Sequence, residues 1–173
     1  MKTTSHITLG IMAMTIFACN SNNQNQKNNS SRSLKAPEFI VKTLDGENLN
    51  SHELEGKIVV VDFWATWCQP CIREIPSYNA LFNKFRDENF VMLGIALDSG
   101  PAEKVRPFIE KYHIEYPIYM GDDKVKKAFG GILGYPTTYI IDQNWNIYKK
   151  YIGMGSKKVE EINNIVEDLL ENS

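Results

Sequence analysis

Cysteine is scarce in this chain, with three in 173 residues. A scaffold stapled by disulfides needs a denser, paired set, so stability has to come from a buried core, and about 140 residues are enough to bury one. An excess of one charge is missing as well. The formal net charge is −2, which gives no electrostatic reason to expect nucleic acid as a partner. Histidine is limited to His6, His52 and His113. No apolar run reaches the roughly 20 residues that a membrane-spanning helix needs. No internal repeat is visible. What remains is an ordinary globular composition, 43% hydrophobic and 23% charged, of a size that suggests one domain and a tail.

The tail is legible at its start. Lys2 precedes a mostly apolar stretch from Ile7 to Ala18, too short to span a bilayer and suited to the apolar segment of a secretory signal. It ends Ile16-Phe17-Ala18-Cys19. A small residue directly before Cys at this place resembles a bacterial lipobox, although Phe17 departs from the small residues usual there. The expectation is cleavage before Cys19 and lipid on its thiol; the alternative is an ordinary signal with an incidental Cys. Several acyl chains on one Cys anchor more firmly than one. From Asn20 to Ser31 every residue but Lys27 is Asn, Gln or Ser. Nothing in this stretch has a surface worth burying, so residues 19–35 are expected to form a disordered tether with a reach of roughly 20 Å, and residues 36–173 the folded domain.

Within the domain, Asp45-Gly46 between two partly alternating runs signals a hairpin, and Ser51 to Leu54 a short helical turn. Lys57 to Phe63 (KIVVVDF) is a continuous β-branched run, as a central strand buried on both faces requires. From Pro70 to about Arg86 the apolar residues recur at helical spacing, with Pro76 inside as a possible kink. Phe90 to Leu97 reads as a second buried strand, Ala102 to Tyr112 as a helix containing Pro107, Tyr116 to Met120 as a short strand, and Asp123 to Phe129 as a helix. Thr137 to Ile141 and Ile147 to Ile152 form a hairpin. Ser156 is placed to cap a last helix, whose apolar face is Val159, Ile162, Ile165, Val166, Leu169 and Leu170. Strands alternating with helices indicate an α/β sandwich.

The chemistry concentrates in FWATWCQPC, where Cys68 and Cys71 stand two residues apart. A structural zinc site needs four ligands, and His52 and His113 lack partner spacing. An inert disulfide is also a poor reading, because so short a loop constrains the unfolded chain little. Position favours redox work. Cys68 follows a buried strand and opens a helix, whose free N–H groups and positive end stabilise a thiolate. Cys71 is expected one turn on, more buried, and within reach of a mixed disulfide formed at Cys68. Pro70 suits the first helical turn, where its missing N–H costs nothing. Asp62, at the end of the buried strand, is costly without a partner, and burial raises a carboxyl toward general-base work near neutral pH. Glu74 is either a first-turn acid favoured by the helix dipole or part of the chemistry.

VVVDFWATWCQPC closely resembles the active-site stretch of thioredoxins, and GYPTTYIID at Gly134–Asp142 resembles their cis-proline segment. The hairpin before LEGKIVVVDFWATWC and the acid in CQPCIREIP are similar to the narrower TlpA/ResA-like group of membrane-anchored thiol–disulfide oxidoreductases. The resemblance covers residues 37 to the C-terminus. It implies a thioredoxin-like sandwich with a central mixed sheet, an N-terminal hairpin extension and a helical insertion before the cis-proline segment. It implies Cys68 as the attacking thiol and Cys71 as the resolving one, joined as a redox-active disulfide when oxidised. Pro136 is then the cis proline, flanked by Tyr135 and Thr137, with the Tyr135 backbone able to pair with an extended substrate and Trp67 shielding the pair or simply packing. Asp62 matches the proton-relaying acid of thioredoxins and Glu74 that of the TlpA/ResA-like group; this chain carries both.

The resulting expectation is an exported, lipid-anchored oxidoreductase facing the periplasm or cell exterior, where disulfides persist. It reduces protein disulfides, for example in apocytochrome c or in mispaired proteins, takes electrons from a membrane thiol donor of the DsbD/CcdA kind, works as a monomer, and calls for no metal or other cofactor. Two rivals stay open. A thiol peroxidase of the related peroxiredoxin type wants Thr three residues before the reactive Cys, whereas Thr66 is two before Cys68. A non-catalytic binding module on the same scaffold would keep its role without Cys68.

Overall fold

The computed structural model describes Lys2 and residues 34–172. Lys2 apart, the expected signal segment, the lipidation site Cys19 and the expected tether as far as Ser33 lie outside the described residues. In chain order the elements are β1 (Leu34–Lys35), β2 (Ile40–Thr43), β3 (Asn48–Asn50), a 3-10 turn (Ser51–Leu54), β4 (Ile58–Trp64), α1 (Gln69–Phe85), β5 (Phe90–Ala96), α2 (Ala102–Tyr112), β6 (Ile118–Met120), α3 (Asp123–Ala128), β7 (Thr137–Ile141), β8 (Asn146–Ile152) and α4 (Lys158–Glu171). The strands join in one mixed sheet in the order β1-β8-β7-β4-β5-β6-β2-β3. β4 pairs parallel to β5 and antiparallel to β7, so the run Ile58–Trp64 lies at the centre and all seven of its residues are buried.

Period-two alternation along β4 sends its side chains to opposite layers. Val59, Val61 and Phe63 meet the hairpin and α3 through Phe39, Val41, Val125 and Phe129. Val60 and Trp64 face the layer of α1, α2 and α4, with Ile75, Tyr78, Val105, Ile162 and Val166. Asp62 alternates with Val60 and Trp64 and therefore belongs to this second layer. Each of these fully buried aliphatic side chains contributes about 1.5–3 kcal/mol. Where β5 runs beside Asp62, the partner residue is Gly94. A Cβ there would lie 2.5 Å from Ile118 Cδ1 and 2.8 Å from Tyr116 Cε2, so glycine is what lets the Tyr116 ring under the sheet.

The expected hairpin extension forms from β2 and β3, with Gly46 at φ +89° in its turn, and it joins the sheet antiparallel to β6. The short helical turn after it is closed by a capping box between Asn50 and Glu53. The insertion expected before the cis-proline segment is α2, β6 and α3. α2 runs unbroken through Pro107, and α1 through Pro76. Three boundaries differ from expectation. The sheet starts before residue 36, because Leu34 and Lys35 pair with Ile147 and Asn146 of β8. The strand expected from Tyr116 starts at Ile118, since Pro117 has no N–H to give a ladder. Ser156 does not cap α4. Its N-cap is Lys157, with no side-chain cap bond, and the chain enters the helix through a Lys158 N–H to Gly155 carbonyl bond. Among the described residues no helix is long and apolar enough to cross a membrane.

Candidate active site

Cys68 is the N-cap of α1, with extended backbone angles of −82° and 97°, and its Sγ accepts the Cys71 N–H at 3.2 Å. The sequence builds this directly: β4 ends at Trp64, the Cys68 N–H bonds the Ala65 carbonyl, and Pro70 sits in the first turn of α1 where no donor is needed. The two sulfurs are bonded, with Cα atoms 5.3 Å apart. The expected difference in burial is absent. Cys68 is 3% exposed and Cys71 5%, and both belong to the buried core of the helical layer, with Trp64, Ala65 and Tyr78.

The rim of the disulfide is held by a residue the sequence did not single out. Asp98 has φ +49°. Its carbonyl accepts Trp67 Nε1 at 2.9 Å, and its Oδ2 accepts the Tyr135 hydroxyl at 2.6 Å and Lys126 Nζ at 3.2 Å. These donors, the Tyr135 hydroxyl foremost, hold the Asp98 carboxyl below its ordinary range. Trp67 and Tyr135 meet edge to face with ring centroids 5.6 Å apart, and Trp67 stays 62% exposed. The Tyr135–Pro136 bond is cis. The Pro136 carbonyl is taken by the Gly153 N–H, and buried Thr137 donates its hydroxyl to the Gly134 carbonyl. Among the described residues no hydrogen bond occupies the Tyr135 N–H or carbonyl.

Beneath the layer of α1 lies a buried polar cluster. Asp62 Oδ1 accepts the Thr138 hydroxyl at 2.7 Å and the Tyr78 hydroxyl at 3.4 Å. Burial pushes this carboxyl up to about 7, with the Lys158 ammonium and the Thr138 hydroxyl opposing. Glu74, three residues after Cys71 on the same face of α1, accepts Lys158 Nζ on Oε2 at 2.7 Å. Its carboxyl too is raised by burial, against the pull of Lys158 and, more weakly, of the Gly155 amide, and among the described residues no donor completes a bond to Oε1. Lys158 also donates to Thr138 Oγ1 at 3.2 Å and to the Gly153 carbonyl at 3.3 Å, and lies over the Tyr78 ring. Burial and the two carboxylates hold the Tyr78 hydroxyl well above its ordinary range.

The structure thus brings Cys68, Cys71, Trp67, Tyr135, Pro136 and Thr137 to one end of the sheet, and joins Asp62 to Glu74 through Thr138 and Lys158, which lie outside the Cys motif. Lys158, Thr138 and Tyr78 were missed. Lys158 had a signal: it stands four and eight residues before Ile162 and Val166, the two fully buried residues of α4, so the helical repeat puts it on the apolar stripe.

Comparison with known proteins agrees with this geometry. The model of the AhpC/TSA family matches residues 33–150. The thioredoxin-like protein YneN of Bacillus subtilis is 37% identical over 131 residues, covering 73% of this chain and 75% of its own length. The thiol-disulfide oxidoreductase ResA of Bacillus cereus is 34% identical over 127 residues, covering 72% of this chain and 71% of its own. Among solved structures, a thiol:disulfide interchange protein of the thioredoxin family from Chlorobium tepidum TLS superposes with a TM-score of 0.71 at 33% identity, covering 80% of this chain and 97% of that one.

Proposed function

This chain belongs to the AhpC/TSA family and is a thiol–disulfide oxidoreductase of the thioredoxin-like kind, and from that premise we propose that it reduces protein disulfides outside the cytoplasm, held at a membrane by lipid on Cys19. The observation that carries the catalytic part is the sulfur of Cys68 at the N-cap of α1, already accepting a backbone N–H. The same donor and the positive end of the helix favour a thiolate once the bond is reduced. Cys68 Sγ⁻ attacks one sulfur of the substrate disulfide, forming a mixed disulfide and expelling one substrate thiolate. Cys71 then gives up its proton, and its sulfur attacks Cys68 Sγ. The mixed disulfide breaks, the second substrate thiolate leaves, and Cys68–Cys71 is oxidised. Two electrons pass to the substrate. The Asp62–Glu74 cluster takes the Cys71 proton and returns it to a leaving thiolate.

The unoccupied backbone of Tyr135 supports pairing with an extended substrate strand beside the disulfide, and exposed Trp67 supports a contact over it. Reset of the pair needs two electrons from a membrane dithiol of the DsbD/CcdA kind, with apocytochrome c or mispaired disulfides as substrates. The test is the reduction potential of the Cys68–Cys71 pair, read by tryptophan fluorescence in thiol buffers. A value near that of thioredoxin, about −270 mV, is expected. A value near about −120 mV reverses the direction and makes the protein an oxidant. The absence of a reversible couple overturns the redox cycle. Cys71→Ser should accumulate the mixed disulfide at Cys68, and peroxide turnover in place of disulfide reduction would refute the substrate class.

A further inference from the structure

Lysine is an unusual residue at this place in a fold. Its ammonium is costly to bury, and a positive charge at a helix N-terminus opposes the dipole. Yet Lys158, the first residue of α4, is only 4% exposed. The groups it faces come from α1, from β7 and from the loop before α4. From α1 come the Glu74 carboxylate at 2.7 Å and the Tyr78 ring. From β7 comes Thr138, whose hydroxyl passes on to Asp62 of β4 at 2.7 Å. From the loop before α4 comes the Gly153 carbonyl. From farther out, the Arg73 guanidinium favours ionised Glu74, and the two carboxylates in turn raise the Tyr116 hydroxyl.

We infer that Lys158 is a positioning residue that ties Asp62 and Glu74 into one proton-accepting unit and limits that unit to a single proton per catalytic cycle. The inference rests on the dithiol cycle proposed above. With both carboxylates ionised, Lys158 leaves the cluster one negative charge. One proton, the one Cys71 must lose, brings it to neutrality, the state a buried site favours. Without the ammonium the same neutrality requires two protons, and the cluster is then filled from solvent before Cys71 has anything to give. The two carboxyls share one counter-ion, so they titrate as a pair. Glu74 also lines an open groove of about 550 Å³ between α1 and α4, together with Ser77 and Ser156. That groove gives the unit its exchange with water, and Asp62, deeper in, communicates through Thr138 and Lys158.

The experiment follows single-turnover oxidation of the reduced full-length protein by oxidised glutathione across pH, with wild type, Lys158→Met and Lys158→Arg side by side. Wild type should show an acid limb set by the carboxyl pair. Lys158→Met should carry that limb about one pH unit or more upward, a loss of about tenfold below the limb, because the cation that favours ionisation is gone. Lys158→Arg keeps the charge and should keep the limb. Removing one partner of a buried ion pair can prevent folding, so Glu74→Gln is compared with Glu74→Gln/Lys158→Met, which carries no unpaired charge at that position. The same upward displacement should separate these two. A limb that does not move in either comparison overturns the inference while the redox cycle stands. A wild-type protein that fails to react with the disulfide at every pH overturns the functional reading and the inference with it.

Discussion

Asp62→Asn tests the buried carboxyl without touching a cysteine. An amide oxygen accepts the bonds from Thr138 and Tyr78 as a carboxylate does, so what the substitution removes is the ionisable proton. In the folded protein burial moves this carboxyl from 3.8 to about 7; unfolded, it titrates near its ordinary value of about 3.9. Between those values the folded chain holds a proton that the unfolded chain has released. Stability contributed by this group is therefore highest below the unfolded value, falls as pH rises through the window, and is level above about 7. At about 1.4 kcal/mol per pH unit, the loss reaches about 4 kcal/mol by the top of the window. Asn carries none of it. The variant should match wild type near about pH 4 and exceed it by about 4 kcal/mol near about pH 8. Urea unfolding of both oxidised proteins across pH, followed by tryptophan fluorescence, reads this as a moving difference in midpoints at unchanged slope. A difference that is the same at every pH, or a variant less stable at the alkaline end, refutes the reasoning.

Two further outcomes follow from the geometry. Tyr135→Phe removes the hydroxyl that Asp98 accepts at 2.6 Å and frees the ring beside Trp67; at about 1 kcal/mol for that bond, KM for a protein disulfide should rise about fivefold with kcat held, and an unchanged KM would show that the rim does not position substrate. Gly94→Ala drives a Cβ into Ile118 and Tyr116 and should lower stability by about 1–3 kcal/mol, read as a lower guanidinium midpoint; an unchanged midpoint would mean that the Tyr116 ring has room to retreat.

The sequence carried most of the sheet because its central strands are buried on both faces and so appear as nearly continuous apolar runs. Ile58–Trp64 and Phe90–Ala96 are the clearest cases, and α2 spans the residues read as a helix, Ala102–Tyr112. The Cys pair was legible for a related reason: strand, thiol and helix start are contiguous, so local geometry follows from local sequence. What failed to appear was set by distant contacts. Leu34 and Lys35 carry no strand pattern of their own and are ordered by β8. Ser156 looked like a cap, but α4 takes Lys157 as its N-cap and is entered through the Lys158 N–H bond to the Gly155 carbonyl. Asp98 takes its role from a left-handed backbone and from partners 28 to 37 residues away, which no short window can contain. Lys158 stands beside exposed Lys157, and only the helical repeat with Ile162 and Val166 marks it as an inward position.

The ion pair between Glu74 and Lys158 joins positions 84 residues apart. A ribosome delivers the chain from its N-terminus, so both motif cysteines, Asp62 and Glu74 are all made long before their cation. Through that interval the nascent protein owns a complete WCQPC motif, while Asp62 and Glu74 still lack the Lys158 ammonium. The docking of α4 supplies it. A product cut short before Lys158 would therefore keep the signature of the enzyme while lacking that charge.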